Sequence, residues 1–327
     1  MSTLLAVDRR FGILGGGFGL YGWMPAIARF ASGPIYTLRR YEQAVLARQE
    51  LRQYYNRLLF VDDAQALMSQ VDAIVCAQRP VDQYALVKKY CGAGWDGVFI
   101  LEKPLAPTPK QAKEICDCIM ASGNGILMGF SLQYTSWALN VAHIVKNSTD
   151  SEILIEWRFL AHHYANGLLT WKRHVDDGGG ALRFYAIHLI GLLASLQEWQ
   201  IDKVALLSDH AGDGGHLSQS SECTKAVVTM SSKGNHIQIT CDSYWCSTSQ
   251  FTVTASCAGC QVYEFRDQSP FPKAEQNYGQ SLRFGEDARI PYLVYLLRNA
   301  ERQKWAPNIS IRDHISLWQM IERSVKP

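Results

Sequence analysis

The first third of the chain consists of short apolar runs separated by polar, helix-forming stretches. Such runs are typical of strands that are buried on both faces, and repeated strand–helix units favour a parallel sheet covered by helices. The predicted strands are Phe11–Leu14, Ile35–Leu38, Leu58–Val61, Ala73–Ala77, Val98–Leu101 and Gly125–Phe130.

The stretches between these strands have helical periodicity. Asp62-Asp63 can cap a short helix before Ala73. In the region 41–54, Ala44, Ala47, Leu51 and Tyr54 fall on one helical face. The predicted longer helices are Trp23–Phe30, Tyr41–Tyr54, Val81–Cys91 and Pro107–Ser122.

The pattern changes after about residue 130, where apolar and polar residues alternate. Alternation indicates strands buried on one face and therefore a mainly antiparallel sheet. It is found at Ile153–Phe159, Ile237–Cys241 and Phe251–Ala255. A helical insert is predicted at Ala181–Leu196, and the tail is predicted as two helices, Pro291–Ala300 and Arg312–Val325.

A chain of 327 residues suits two domains. The change of pattern predicts an N-terminal α/β domain over 1–127. It also predicts a C-terminal α/β domain over 128–327, with a large, open and mostly antiparallel sheet. The Gly/Ser/His-rich stretch Asp209–Ser221 is expected to be the most mobile loop.

Composition narrows the function classes. Hydrophobic residues make up 47% and charged residues 19%, as in an ordinary globular protein, and a net charge of +2 gives no electrostatic reason to expect nucleic acid or an anionic membrane. Nine scattered cysteines fit reduced thiols and a cytoplasmic location. Cys257-Ala258-Gly259-Cys260 lies between two alternating strands, which favours a hairpin turn over a redox or metal role, and no metal is expected.

A glycine-rich turn follows the first predicted strand, with five glycines between Gly15 and Gly22. A strand, a tight glycine turn and a helix N-terminus form a cradle for the pyrophosphate of a dinucleotide. One register of G-x-G-x-x-G runs through Gly17, Gly19 and Gly22. The other starts at Gly15 and Gly17, with Leu20 in the third place, and it is favoured because Gly15 directly ends the strand.

Two further motifs carry candidate chemistry. Glu102-Lys103-Pro104 ends a predicted strand, where a lysine can hydrogen-bond a substrate hydroxyl or act as an acid or base. By spacing alone, Lys103 could equally be a surface lysine before a proline turn. Gly178-Gly179-Gly180 starts a helix that carries His188, and a histidine on an apolar helix face is by itself more often a core residue than a catalyst.

Taken in this order, the three motifs resemble the Gfo/Idh/MocA family, which includes glucose–fructose oxidoreductase and inositol dehydrogenase. The resemblance covers nearly the whole chain and implies a Rossmann domain followed by an α/β domain with a large open antiparallel sheet. It also implies hydride transfer between a nicotinamide cofactor and a carbohydrate hydroxyl or ketone carbon. Lys103 would lie beside nicotinamide and substrate, and His188 would transfer the proton. Pairing of subunits into a homodimer or homotetramer is expected.

The sequence departs from the family pattern at three places. Phe184 stands where an acidic residue is common in the family. The group that transfers the proton would then be His188 together with Lys103, and Tyr185 is the second candidate. Arg39 and Arg40 end the second strand and favour NADP over NAD, because arginine can pair with a 2′-phosphate. Gln78-Arg79 replaces the usual residues after the fourth strand. The expected cofactor-binding residues are Gly15, Gly17, Phe18, Gly19, Leu20, Arg39, Arg40, Gln78, Arg79, Glu102 and Lys103.

Aromatic and basic residues before the triple glycine suit a sugar that carries a phosphate or nucleotide, although a hydrated basic loop explains them equally well. The expected substrate-binding residues are Lys103, His163, Trp171, Arg173, Phe184 and His188. We therefore expect a nucleotide-sugar or sugar-phosphate dehydrogenase or ketoreductase of carbohydrate or surface-polysaccharide synthesis. The alternatives are a glycosidase-like hydrolase that uses NAD without net redox change, and a non-catalytic cofactor-binding protein.

Overall fold

The computed structural model describes residues 8–208, 222–272, 282–305 and 311–325. The chain forms two compact units, each assembled from separate stretches of sequence. The described part of the first unit comprises 8–105, 114–131 and 282–305, and that of the second comprises 106–113, 132–208, 222–272 and 311–325. The boundary after residue 127 stays a prediction about domains. The loop expected at Asp209–Ser221 lies outside the described residues.

The first unit is built on a six-stranded parallel sheet in the order β3-β2-β1-β4-β5-β6. This is the strand order of dinucleotide-binding Rossmann domains. β1, β4 and β5 are buried along their whole length, as continuous apolar runs require. The strands are β1 (Phe11–Leu14), β2 (Ile35–Leu38), β3 (Leu58–Val61), β4 (Ala73–Cys76), β5 (Val98–Leu101) and β6 (Gly125–Met128).

Helices connect these strands. Asp63 caps the N-terminus of one of these helices, since its side chain accepts a hydrogen bond from Ala66 N at 2.8 Å. This is the cap that the sequence Asp62-Asp63 predicts. The helices of the first half of the chain are α1 (Met24–Phe30), α2 (Glu42–Ala47), α3 (Gln49–Arg52), α4 (Ala64–Met68), α5 (Pro80–Tyr90) and α6 (Pro109–Ser122).

The single helix expected over Tyr41–Tyr54 is wrong. The chain is extended at Arg48, with φ −110° and ψ 117°, and this residue separates α2 from α3. The Arg48 guanidinium lies 5.0 Å from the centre of the Tyr21 ring. Ala44 and Ala47 are exposed while Val45 is buried, so the expected apolar face does not form.

The second unit is built on another six-stranded sheet, in the order β12-β11-β7-β10-β9-β8. All neighbours are antiparallel except β7 and β10, which are parallel, so the expected mostly antiparallel sheet is confirmed. The strands are β7 (Ser151–Arg158), β8 (Gln200–Leu207), β9 (Lys225–Ser232), β10 (Asn235–Asp242), β11 (Gln250–Cys257) and β12 (Cys260–Asp267).

Helices of the second unit cover the apolar face of this sheet. Trp137 packs its ring 4.9 Å from that of Phe251, and Tyr185 packs 4.7 Å from Phe159. Ile153 and Ile155 are buried beneath this layer. The helices are α7 (Ser136–Asn147), α8 (His162–Ala165), α9 (Ile187–Ala194), which directly follows a π-helical segment at Ala181–Ala186, and α11 (Ile311–Arg323). The homo-oligomer stays a prediction.

The tail returns to the first unit through α10 (Ile290–Arg302). Trp305, just beyond this helix, packs its ring 6.4 Å from those of Phe11 in β1 and Phe30 in α1. Glu286, just before it, forms an ion pair with Arg29 and accepts a hydrogen bond from Tyr54 at 2.7 Å. Segment 282–305 is therefore anchored to the first unit at both ends.

The C-x-x-C stretch is a hairpin turn, as the sequence predicts. Cys257 and Cys260 pair across β11 and β12, and the two turn residues Ala258 and Gly259 have φ values of 51° and 77°. Two positive φ values are typical of a type I′ turn. None of the nine cysteines, all of which lie in the described residues, forms a disulfide. Across 8–208, 222–272, 282–305 and 311–325, no helix is long and apolar enough to span a membrane.

Candidate active site

The glycine turn follows β1 and begins at Gly15. Gly15 has a φ of +132°, and a Cβ there would lie 2.1 Å from the Ala77 carbonyl oxygen at the end of β4, so no other residue fits. Gly17 is exposed, and a Cβ at this position would have no atom within 4 Å. Leu20, in the third place, is buried. The open space at Gly17 leaves room for a pyrophosphate to approach the backbone.

The helix begins directly at this turn. The Gly17 carbonyl accepts hydrogen bonds from Leu20 N at 2.9 Å and Tyr21 N at 3.2 Å. A π-helical segment, Gly19–Trp23, then runs without a break into α1. The N–H groups of a first helical turn have no partner within their own helix, so this end suits an anion.

Gly22, the third glycine of the other register, has a different role. A Cβ there would lie 2.1 Å from the Phe18 ring, so this glycine makes room for the side chain of Phe18. The pattern of glycines alone did not indicate this purpose.

The two arginines after β2 differ in their partners. Arg39 pairs with Asp62, with Nε 3.0 Å from Oδ1. Arg40 donates to the Tyr41 hydroxyl at 3.1 Å, and its guanidinium lies 5.1 Å from the centre of that ring. The Tyr41 ring in turn lies 3.2 Å from where a Gly16 Cβ would be. Arg40 is thus connected to the glycine turn through one aromatic ring.

Gln78 and Arg79 follow β4. The Gln78 Oε1 atom is buried and has no hydrogen-bond partner within the described part of the chain. A buried orphan acceptor of this kind fits a hydroxyl or amide group of a bound cofactor. Arg79 forms two hydrogen bonds with Asp82, at 2.7 and 3.0 Å, in the first turn of α5.

Glu102 and Lys103 follow β5. The Glu102 carboxylate is buried, accepts from Trp23 Nε1 at 2.7 Å and lies 3.3 Å from Lys103 N. Burial raises the pKa of Glu102, while Lys103 and Trp23 act in the opposite direction.

Gln83 anchors the backbone of the same segment. Its Oε1 accepts from Glu102 N at 3.0 Å, and its Nε2 donates to Glu102 O at 2.8 Å and Leu105 O at 2.9 Å. The sequence indicated neither Trp23 nor Gln83. Gln83 holds the backbone next to Lys103, and Trp23 holds the Glu102 carboxylate.

In the second unit, the triple glycine allows a close backbone approach. A Cβ at Gly179 would lie 2.3 Å from the Trp171 carbonyl oxygen, and Gly180 N donates to Lys172 O at 2.8 Å. Gly180 has a φ of +81°. The glycines therefore fix the candidate substrate segment 171–174 against the start of the π-helical segment.

Aromatic side chains gather at this point. Phe184 packs 5.1 Å from Trp171 and 4.7 Å from Tyr185, and the Tyr185 ring is stacked 6.3 Å from His163. His188, buried in α9, lies edge-on to Phe271 at 6.4 Å. Four expected substrate or catalytic residues, Trp171, Phe184, Tyr185 and His163, thus form one cluster.

The charged residues of this cluster are partly neutralised. Arg173 forms an ion pair with Glu222, which the sequence did not indicate: Arg173 Nε lies 3.0 Å from Oε1, and Nη2 donates a hydrogen bond to Oε2 at 3.1 Å. Lys172 lies 5.3 Å from the centre of the Phe184 ring. Burial, followed by the charges of Lys172 and Arg173, lowers the pKa of His163 to about 4, so this residue is neutral near pH 7.

Comparison with known proteins agrees with this geometry. Residues 10–130 match the model of the GFO_IDH_MocA oxidoreductase family with its NAD-binding Rossmann fold. This N-terminal stretch is therefore similar to the NAD-binding domain of the Gfo/Idh/MocA family. The matched model describes an NAD-binding fold, which agrees with the expected nicotinamide cofactor. A search of curated protein sequences finds no match.

Solved structures share the fold over nearly the full length. The WlbA dehydrogenase from Bordetella pertussis, in complex with NADH and UDP-GlcNAcA, has 16% identity and a TM-score of 0.71 over 97% of this chain and 96% of that chain. The 3-ketoreductase KijD10 from Actinomadura kijaniata, in complex with NADP and TDP-benzene, has 13% identity and a TM-score of 0.68 over 96% of both chains. A myo-inositol dehydrogenase from Corynebacterium glutamicum has 14% identity and a TM-score of 0.67 over 97% and 95%.

The open position at Gly17 gives a direct test of the cofactor cradle. We expect Gly17→Ala to fold normally but to weaken dinucleotide binding by about tenfold or more, because the added methyl occupies the space where the pyrophosphate approaches. Gly33→Ala, whose Cβ would meet only the Arg9 carbonyl at 3.8 Å, is the matched control. Calorimetric titration of the two variants checks this. Equal affinity for both would contradict the assignment of the cradle.

His163 gives a pH-dependent prediction. Its folded pKa of about 4 lies below its ordinary value of 6.5, so between these pH values the unfolded chain binds a proton that the folded chain does not. This residue therefore reduces the free energy of unfolding as pH falls through that window, by up to about 1.4 kcal/mol per pH unit. Urea unfolding at pH 7, 6 and 5 should show a shallower decline for His163→Gln than for the wild type. An equal decline of the free energy of unfolding with pH in the wild type and in His163→Gln would contradict this prediction.

Proposed function

We propose that this protein is a member of the Gfo/Idh/MocA family and transfers hydride between NADP and a hydroxyl or ketone carbon of a sugar, as a nucleotide-sugar or sugar-phosphate dehydrogenase or ketoreductase. The glycine turn carries the proposal, because Gly15 is restricted to glycine by the Ala77 carbonyl and Gly17 is open for a pyrophosphate. The UDP-GlcNAcA bound to WlbA and the TDP-benzene bound to KijD10 support a nucleotide-linked substrate. A role in carbohydrate or surface-polysaccharide synthesis is part of the same proposal.

Each residue has a defined part in the proposed reaction. When bound, the nicotinamide ring supplies or accepts the hydride. Lys103 donates a hydrogen bond to the reacting oxygen and stabilises negative charge that develops there. His188 accepts the proton when the hydroxyl is oxidised and returns it in the reverse direction. Tyr185 remains second choice, because its ring lies among Phe159, Phe184 and His163.

The aromatic cluster supports recognition of a sugar or nucleobase by stacking. Trp171 and Phe184 are partly exposed, and aromatic faces pack on sugar rings and bases alike. Lys172 is the cation that we assign to a substrate phosphate, because it lies 5.3 Å from the centre of the Phe184 ring, beside the proposed stacking surface. Arg173 then orders the cluster through its contact with the Tyr164 ring at 4.8 Å.

Arg40 supports the choice of NADP. Its guanidinium stacks on Tyr41, beside Gly16 and after β2, where the adenosine ribose lies in Rossmann domains. Arg39 is less suited to this role because Asp62 already balances its charge.

The cofactor choice is tested by titrating NADPH and NADH against the tryptophan fluorescence of Arg40→Ala and Arg39→Ala. We expect Arg40→Ala to weaken NADPH binding by about tenfold and to change NADH binding by no more than about twofold, because only NADPH carries the 2′-phosphate. Arg39→Ala should have a smaller effect. Tighter binding of NADH by the wild type would overturn the NADP assignment.

The reaction is tested by turnover on a panel of keto-sugar nucleotides and sugar phosphates, followed by NADPH absorbance. We expect Lys103→Ala and His188→Ala to lower kcat by about 10²- to 10⁴-fold, and we expect His188→Ala to leave the NADPH dissociation constant nearly unchanged. His143→Ala, on the exposed surface of α7, is the control for a histidine substitution. Glycoside cleavage without added cofactor would favour the hydrolase. Binding without turnover on any substrate would favour the non-catalytic alternative.

A further inference from the structure

A side chain from the far end of the sequence packs on the glycine turn. The guanidinium carbon of Arg289 lies 3.9 Å from the centre of the Phe18 ring and 6.0 Å from that of Tyr21. Both aromatic residues belong to the turn and the first helical turn after it. Contact of a mostly buried guanidinium with a ring face is stronger than the same contact in water, because less hydration competes with it.

Asp287 fixes the Arg289 guanidinium in this position. Its carboxylate accepts from Arg289 Nε at 2.8 Å and from Nη2 at 2.7 Å, and the two side chains are only 18% and 26% exposed. Two parallel hydrogen bonds define the plane of the guanidinium as well as its distance. Burial would raise the pKa of Asp287, but the hydrogen bonds and charge of Arg289 outweigh it and keep the carboxyl ionised.

Phe18 is held on its other sides by the helix itself. Its ring lies where a side chain at position 22 would be, since a Gly22 Cβ would come within 2.1 Å of it. The Tyr21 ring packs against it edge-on at 5.4 Å. Phe18 thus lies between its own helix and the planar group of Arg289.

Phe18 is also part of the turn that the cofactor uses. It follows Gly17 directly and precedes Leu20, whose N–H makes a first hydrogen bond of the helix. The N–H groups at this point are the ones that face the pyrophosphate in Rossmann domains. Because the Phe18 ring is packed between the helix and Arg289, the backbone of the turn at this residue is also restrained. The turn is therefore ordered before the cofactor binds, and less conformational entropy is lost on binding.

We propose that Arg289 is a positioning residue for the cofactor pyrophosphate, acting through Phe18 to hold the glycine turn in its binding conformation. This inference rests on the proposed function, because it requires a dinucleotide in the cradle. Segment 282–289 would then restrain the glycine turn in addition to packing on the first unit.

The test compares three ligands that differ in one part each. NADPH contains the whole cofactor, 2′-phospho-ADP-ribose lacks nicotinamide, and adenosine 2′-monophosphate lacks the pyrophosphate. We expect Arg289→Met to weaken the first two by about tenfold and the third by no more than about twofold in calorimetric titrations. Arg302→Met, on the exposed end of α10, is the matched control and should leave all three unchanged. If the wild type prefers NADH, the series becomes NADH, ADP-ribose and adenosine.

Each other pattern overturns the proposal. Equal losses for all three ligands would indicate a general structural role, and a loss for NADPH alone would assign Arg289 to the nicotinamide end. If Arg289→Met does not fold, Arg289→Lys keeps the charge but loses the planar fork, and the same selective loss is expected at about threefold. A wild type that binds none of these ligands would instead overturn the proposed function.

A double-mutant cycle tests the route through Phe18. Phe18→Leu should show the same ligand-selective loss, and Phe18→Leu/Arg289→Met should lose no more than about twofold beyond the larger single loss. Thermal unfolding of the free proteins separates affinity from stability. Additive losses in the cycle would overturn the role of Phe18 as the connection.

Discussion

The first unit depends on the contact between the backbone at Gly15 and the carbonyl of Ala77. β1 lies between β2 and β4 in the sheet, and the chain leaves β1 at Gly15 close to Ala77, which follows β4. No side chain fits there, since even a Cβ would come within 2.1 Å of that carbonyl oxygen. This close approach sets the direction of the turn, the start of the helix and the exposure of Gly17. The residues after β2, β4 and β5 acquire a possible role in cofactor binding only because this turn opens beside them.

Much of this arrangement could be predicted from the sequence because it depends on local patterns. Strands buried on both faces require continuous apolar runs, and β2, β3 and β5 have the bounds that those runs indicate. The second sheet follows from alternation at Ile153–Phe159 and its counterparts, which is a direct consequence of the two-residue period of a strand. The tight turn at Gly15 was also predictable, because a glycine follows directly on the apolar run of β1.

The rest depends on contacts between residues far apart in the chain, which periodicity does not encode. Helical spacing over Tyr41–Tyr54 gives no sign that Arg48 leaves the helix and contacts Tyr21. Glu222 pairs with Arg173 across 49 positions, and Gln83 binds the backbone of Glu102 across 19. The glycine at position 22 fits a motif by spacing, yet it is explained by the ring of Phe18. Sequence patterns identified the candidate residues of the site but not the side chains that hold them.

The same long-range contacts change how the second unit can recognise a substrate. Lys172, Arg173 and Glu222 together carry one net positive charge, and His163 adds none near pH 7 because its pKa is about 4. A cluster of basic residues alone would attract phosphate by charge, whereas here the partly exposed rings of Trp171 and Phe184 lie beside the charged groups. Under the proposed function, the fit of a ring against Trp171 and Phe184 therefore contributes more to selectivity than the number of phosphates does. The neutral imidazole of His163, whose Nε2 has no hydrogen-bond partner among the described residues, adds a directional polar group beside those rings.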